Sequence, residues 1–251
     1  MASNSQNNRI VDEITDFSGI YARKIYPILK KYIYGGDFAG KYCVSVMSSR
    51  GVYEAKVLNI GCGDGTDDIY MTSKGYMVDG LDISKEFIEM TKKVNPQGEF
   101  YNISADGDWG TIKKRYDVVC TWGTFAEFSN PEKVCSNVAS VVKVGGLFIF
   151  DYASSDAVWE DVREWRDDLG DNYRDVVRRV HGDPKIRDTR YVYHIDGKEI
   201  VVHLKARLNS LWDVASCLRP NFDIVSAYSG CTFDPVKWQK DRYVTIVAIR
   251  R

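Results

Sequence analysis

Val57-Leu58-Asn59-Ile60-Gly61-Cys62-Gly63-Asp64-Gly65-Thr66, followed by Val78-Asp79-Gly80-Leu81-Asp82-Ile83-Ser84, decides the fold. Each stretch is an apolar run that ends in a small or acidic residue and leads into a segment with helical spacing. That is the pattern of two neighbouring parallel strands whose tips meet at one edge of a sheet, the edge where open α/β sheets bind ligands. Glycines at alternate positions, Gly61, Gly63 and Gly65, let the backbone approach a ligand closely. The Asp82 carboxylate, 82 − 61 = 21 residues past Gly61, can accept hydrogen bonds from ribose hydroxyls. A charge-assisted bond of that kind is worth about 1.5–3 kcal/mol, enough to set orientation.

A glycine-rich turn with a downstream acid also serves dinucleotides. An NAD-dependent oxidoreductase is therefore the rival enzyme reading, and a non-catalytic nucleotide-binding module the non-enzymatic one. The spacing separates them. A pyrophosphate binder places its third glycine three residues after the second, whereas this chain reads Gly61-x-Gly63-x-Gly65 with Asp64 where a phosphate would be repelled. With this pattern the chain resembles the class I S-adenosylmethionine-dependent methyltransferases, whose first motif reads acidic-x-Gly-x-Gly-x-Gly and whose second ends in an acid at the tip of strand two. It departs at Asn59, where the family usually carries Asp or Glu.

The likeness continues along Phe100-Tyr101-Asn102-Ile103-Ser104-Ala105-Asp106 as a third strand with a polar exit, and along Tyr116-Asp117-Val118-Val119-Cys120-Thr121-Trp122-Gly123 as a fourth strand running into the active-site loop. Asn130 and Pro131 read as a helix start, Val134, Val138, Val141 and Val142 as its buried stripe, and Gly145-Gly146 as its end before a strand from Leu147 to Asp151. Two last strands, Phe222 to Tyr228 and Tyr243 to Ile249, complete the set. The resemblance implies an α/β fold: a seven-stranded Rossmann-like methyltransferase sheet with helices on both faces, an N-terminal helical lid and an antiparallel β insertion after strand five. As one domain it divides into residues 1–54 (lid), 55–152 (cofactor-binding core), 153–218 (substrate-facing insertion) and 219–251 (last strands). It also implies S-adenosyl-L-methionine as cofactor. Around that cofactor would lie Tyr21 from the lid, Asn59, Gly61, Gly63, Gly65, Asp82 and Ile83 at the first two strand tips, Ala105 and Asp106 beside the adenine, and Thr121 or Trp122 beside the methionine portion.

Upstream, residues 1–8 are polar, and the apolar positions from Ile10 to Ile33 predict helical segments broken near Pro27 and stopped at Gly35-Gly36. Phe17, Tyr21 and Tyr26 are the aromatic candidates for the cofactor's methionine end. Downstream, Asp156 would cap a helix whose Val158, Val162, Trp165 and Leu169 share one face. The basic residues that follow, Arg174, Arg178, Arg179, Lys185, Arg187 and Arg190, are interleaved with aspartates and read as a solvated surface, with a grip on a substrate phosphate as the sharper alternative. Asp196-Gly197, between Thr189–Ile195 and Lys198–Leu208, predicts a tight type I′ hairpin in which Ile195 faces Lys198, His194 faces Glu199, Tyr193 faces Ile200 and Tyr191 faces Val202. Its aromatic and aliphatic face would roof the active site or pack on a partner subunit, in which case the oligomer is a homodimer.

Glu127, in the loop after strand four, is the candidate to take up a substrate proton or orient a hydroxyl or ammonium group. His194, opposite Glu199, is the second catalytic candidate, because imidazole titrates near neutrality. Trp122, Tyr152, Phe233 and Trp238 are candidates to line or close the pocket. An insertion at this place resembles small-molecule methyltransferases, including those acting on nucleotide-linked sugars, so the acceptor is expected to be a small molecule, methylated on oxygen or nitrogen.

Composition agrees. A chain of 251 residues with 44% hydrophobic content can bury one sizeable core. A net charge of −1 offers no general footprint for nucleic-acid phosphates. Six cysteines show neither a CxxC pair nor zinc spacing, no His/Cys/Asp cluster reads as a metal site, the first residues do not read as a basic, apolar, small-residue leader, and no apolar run reaches the ~20 residues of a membrane span. The expectation is a cytoplasmic protein without nucleic-acid or membrane partners.

Overall fold

The computed structural model describes residues 17–251; the expectations for Met1 to Asn8 and for Ile10, Val11 and Ile14 lie outside them. Seven strands form the large sheet in the order β10-β11-β5-β4-β1-β2-β3, where β1 is Lys56–Ile60, β2 Met77–Asp82, β3 Phe100–Asn102, β4 Tyr116–Thr121, β5 Val142–Ala153, β10 Phe222–Ser229 and β11 Tyr243–Arg250. Only β11 runs against its neighbours, pairing antiparallel with both β5 and β10. This is the α/β methyltransferase arrangement expected from the glycine motif and its sequels.

Successive side chains of a strand point to opposite faces, and the core divides accordingly. Val57, Val78, Val118 and Ile149 pack under α3 (Phe38–Ser49) and α4 (Thr66–Ser73). Leu58, Leu81, Val119 and Phe150 pack under α6 (Pro131–Val141) and α7 (Leu211–Leu218). The Asn130 side chain accepts from Lys133 N–H at 2.9 Å and caps α6, with Pro131 at its first turn. Gly145 and Gly146 do not end that helix: the chain passes directly from Val141 into β5, and both glycines lie inside the strand. A side chain at Gly146 would lie 2.7 Å from the Asp117 carbonyl, so the position is held by close strand packing, not by a cap.

The helix does not break at Pro27. It runs through α1 (Phe17–Ile20) and α2 (Tyr26–Tyr32), and the turn between them, Tyr21–Ile25, widens to a π-helix in which Tyr26 N–H donates to the Tyr21 carbonyl. A proline near the start of α2 lacks the donor for a regular bond, and the wider turn accommodates it.

The insertion holds a further correction. Val162–Leu169 is strand β6, not a helix, and it opens a four-stranded antiparallel sheet with β7 (Asn172–His181), β8 (Ile186–Ile195) and β9 (Lys198–Arg207). The β8–β9 hairpin has the register read from Asp196-Gly197, down to Tyr191 opposite Val202. Both turn residues have positive φ, 51° and 72°, as a type I′ turn needs. One half of this sheet's inner face, Leu169, Tyr193, Ile195 and Val202, packs on Ile25 and Leu29 of the N-terminal helices. The aromatic face is thus covered within the chain. The other half overhangs the tips of β4 and β5.

Candidate active site

The loop between β1 and α4 is set by its glycines. Gly61, Gly63 and Gly65 have φ of 70°, 56° and 81°, values an L side chain rarely adopts. They are not equivalent. A Cβ on Gly65 would sit 2.2 Å from Thr91 Oγ1, and one on Gly61 2.9 Å from Thr124 Cγ2, so these two let the loop press on α5 (Lys85–Val94) and on the β4 loop. A Cβ on Gly63 would meet only the Tyr26 hydroxyl, at 3.5 Å. Gly63 is the open position of the cradle.

Asp82, at the tip of β2, is 8% exposed and accepts from Gly63 N–H at 3.1 Å and Ser84 N–H at 2.8 Å. Burial raises its pKa, and these backbone donors pull it back down. Ile83 beside it is 74% exposed, an apolar side chain offered to the rim. Asn102 ties the β2 tip in place through the Asp82 and Ile83 carbonyls. Ala105 is buried and its carbonyl accepts from Asn137, while Asp106 is bonded by Ser104.

Asn59 faces away from this rim. Its amide donates to Asp68 Oδ1 at 2.7 Å, and Cys120 Sγ lies 3.7 Å from its oxygen. Asp68, on α4, is fully buried, and burial pushes its carboxyl up to about 8. The buried carboxyl next to Asn59 thus belongs to the helix, bonded to Asn59 and Thr91. Sequence reading missed it because Asp68 has no motif; its partner becomes visible only when α4 lies on β1.

The N-terminal helices strap this edge. Lys30 bonds Asp64 at 2.6 Å and also Thr66, Arg23 pairs with Glu86 at 3.0 Å, and the Tyr26 ring stands edge-on to Phe87 at 5.0 Å. Tyr21 exchanges a hydrogen bond with Tyr34 at 3.1 Å and lies against Phe87.

At the tip of β4, Thr121 is buried and its hydroxyl is tied to Thr124. Trp122 packs edge-on to Tyr42 at 5.5 Å, and its Nε1 is a buried donor without an acceptor among the described residues. Phe233 also rests on Tyr42, at 5.6 Å, on that same side. Trp238 is 36% exposed. Tyr152 is 1% exposed, a core residue and not a pocket wall.

Glu127 ends the short 3₁₀ turn Phe125–Glu127. Its side chain reaches solvent, yet surrounding protein raises its pKa, opposed only by the Arg187 charge. Asp151, at the end of β5, accepts from Gly123 N–H at 2.6 Å, and burial lifts it to about 6. Arg187 again opposes the rise. Sequence reading passed over Asp151 as a site residue. Two carboxyls whose pKa burial raises, each opposed by the Arg187 charge, thus stand at the edge where β4 and β5 end. His194 is not with them. Tyr193 points to the inner face of the small sheet, so its neighbour His194 points outward, stacked on Tyr173 at 4.1 Å and flanked by Asp175 and Glu199 at 3.3 and 3.6 Å.

Comparison with known proteins bears on the family and the fold. A family model described as a methyltransferase domain matches residues 36–183, more than half of the chain. The chain belongs to that family. Among curated proteins, a ubiquinone biosynthesis O-methyltransferase of Yersinia pestis is 28% identical over 106 residues, covering 41% of this chain and 44% of the relative. The chain thus spans less than half the length of the curated relatives it matches. Among solved structures, an S-adenosylmethionine-dependent methyltransferase from Clostridium acetobutylicum superposes with a TM-score of 0.71 at 14% identity, over 93% of this chain and 97% of that one. An amino pentose methyltransferase from Micromonospora echinaspora gives 0.67 at 14% identity, over 86% and 91%. A sugar N-methyltransferase from Streptoalloteichus gives 0.69 at 17% identity, over 90% and 92%. Their fold is the fold of this chain.

Proposed function

We propose that the chain is an S-adenosyl-L-methionine-dependent methyltransferase that acts on an oxygen or nitrogen of a small molecule. The observation that carries this reading is the Gly63–Asp82 pair: an open backbone position in a left-handed turn, bonded to a buried carboxylate with lone pairs left for hydroxyls. The residues fit the cofactor. Gly63 leaves space where a Cβ would intrude, Asp82 suits a ribose, Ile83 offers an apolar edge to the adenine, and the Trp122 N–H lacks an acceptor that a carboxylate would supply. Ala105 and Asp106 at the exit of β3 complete the adenine side, and Tyr21 and Tyr26 the lid side.

The sulfonium supplies a methyl group that is already activated. The chain's own work is then to hold the nucleophile in line, which is worth about 7–11 kcal/mol in well-oriented reactions. A proton must also leave the acceptor. Glu127 is the residue we assign to receive that proton from a hydroxyl or an ammonium, and its raised pKa makes it a better proton acceptor than an ordinary carboxylate; Asp151, raised likewise and opposed by the same Arg187 charge, is the second candidate. An acceptor with a hydroxyl or amino group on a sugar ring, linked to a nucleotide, is the narrower reading; it is supported by the shared architecture with the amino pentose and sugar N-methyltransferases. Incubation with methyl-labelled cofactor and a panel of amino and hydroxy sugars, with mass spectrometry of the products, tests it. Label in a sugar product is expected, and label in none of the candidate small molecules contradicts the reading.

A further inference from the structure

The roof sheet carries charge that the cofactor does not use. On its inner face β6 and β7 place Arg163 directly opposite Arg178, a like-charge cross-strand pair that costs stability. Around them the side chains alternate cation and ring. Arg163 lies 5.5 Å from the centre of Trp165, Arg178 5.7 Å from Trp165 and 5.0 Å from Trp159, and Arg242 5.4 Å from Trp159. Only Glu160 answers these three charges among the described residues, at 3.8 Å from Arg163 and 3.6 Å from Arg178. The Arg178 side chain is 9% exposed, and its Nε and Nη2 have no hydrogen-bond partner. Nearby Arg174 shows the ordinary solution: equally buried, it is bonded by Asp167 at 2.6 and 2.8 Å. The arginines expected to form a solvated surface are therefore of two kinds, and Arg178 is the unsatisfied one.

The ladder leads to the reaction edge. Arg242 belongs both to it and to an open cavity of about 750 Å³ that Val158, Gly230, Lys240 and Tyr243 also line. Asp241, the carboxylate in that lining, accepts from Lys237 N–H. Tyr243 stands edge-on to Trp159 at 6.2 Å, and its hydroxyl accepts from Arg187, the cation that faces Glu127 and Asp151. Neither Arg187 nor Arg242 has a carboxylate partner within 4 Å among the described residues. Rings that clamp guanidinium planes hold their donor forks in fixed orientation, and such forks match phosphate oxygens two at a time.

We propose that Arg178 and Arg242, clamped on Trp159, form a subsite for a phosphate or diphosphate group carried by the methyl acceptor, whose nucleophile then reaches Glu127 and Asp151. The link to the acceptor rests on the methyl-transfer reading; the anion site does not. The test is calorimetric titration of protein saturated with S-adenosylhomocysteine, using inorganic pyrophosphate and uridine diphosphate as probes. Both are expected to bind, the ester more tightly, and Arg178→Met and Arg242→Met are each expected to weaken binding about tenfold or more while leaving affinity for S-adenosylhomocysteine unchanged. Arg242 is half-buried and its only side-chain hydrogen bond among the described residues runs from Nε to the Val158 carbonyl, at 3.2 Å, so Arg242→Met reports even where the more deeply buried substitution perturbs folding. No pyrophosphate binding at about 10 mM, or equal binding by wild type and Arg242→Met, overturns the subsite. Equal affinity for the two probes overturns its assignment to the acceptor. Pyrophosphate binding to a protein that ignores S-adenosylhomocysteine sinks the methyl-transfer reading and leaves the anion site standing.

Discussion

The two walls of the cleft are built from different materials. The lower wall, at the tips of β1 and β2, is backbone: three left-handed glycines and one carboxylate held by N–H groups. The upper wall, the inner face of β6–β9, is long side chains: guanidiniums, phenols and indoles standing on a regular antiparallel ladder. A backbone wall fixes the distances at which a ligand lies and changes little with substitution away from glycine. A side-chain wall can be rewritten residue by residue while the ladder beneath it stays the same. The first suits a ligand that never varies, the second a ligand that defines the particular enzyme.

The sharpest way to break this contrast is at Glu127, where the walls meet. If it accepts the acceptor's proton, Glu127→Gln lowers kcat by about 10²–10⁴ and removes the limb of the pH profile on which activity rises as the raised carboxyl ionises. Unchanged turnover would eliminate the role. Within the lower wall, Asp82→Asn is expected to weaken S-adenosylhomocysteine by about 10- to 100-fold, the loss of one charge-assisted bond, with little change in the binding of pyrophosphate on the upper wall. A change in both would mean that the walls are not separate.

Asp68 gives a smaller effect that reads stability alone. Its folded carboxyl stands at about 8, against about 3.9 for an exposed aspartate, so the folded chain holds a proton that the unfolded chain has released between those values. Stability therefore falls as pH rises through that window. Asp151 and Asp67, each at about 6, act in the same direction lower down. Asp68→Asn keeps an acceptor for the Asn59 amide, and its Tm advantage over wild type is expected to widen from pH 6 to pH 8. A gap that does not change with pH would show that Asp68 is charged in the fold.

How legible each wall was follows from the same difference. Glycine spacing and the acid after β2 are local signals, and so is Asp196-Gly197, which set the hairpin register residue by residue. The upper wall was harder. Val158, Val162, Trp165 and Leu169 fit one face of a helix, and the two-residue period of β6 was hidden because Asp167 points inward to meet Arg174 across the ladder. Charge on an inner face reads as surface until its partner is in view. The same holds for Asp68, whose neutral state depends on α4 lying over Asn59, and for Asp151, whose environment is assembled from Gly123 and a distant arginine. His194 failed for a simpler reason: its pairing with Glu199 was right, but the strand's alternation turned both outward.

The central claim concerns Gly63, the one glycine of the loop with space before it. Titration of S-adenosylhomocysteine into wild type and Gly63→Val tests it most directly, with Gly65→Ala as the stability reference, since that substitution meets Thr91 at 2.2 Å. The account predicts binding by wild type, its loss in Gly63→Val, and a larger fall in Tm for Gly65→Ala than for Gly63→Val. Wild-type protein that ignores the ligand at about 1 mM, or a Gly63→Val protein that binds it equally well, would contradict the account.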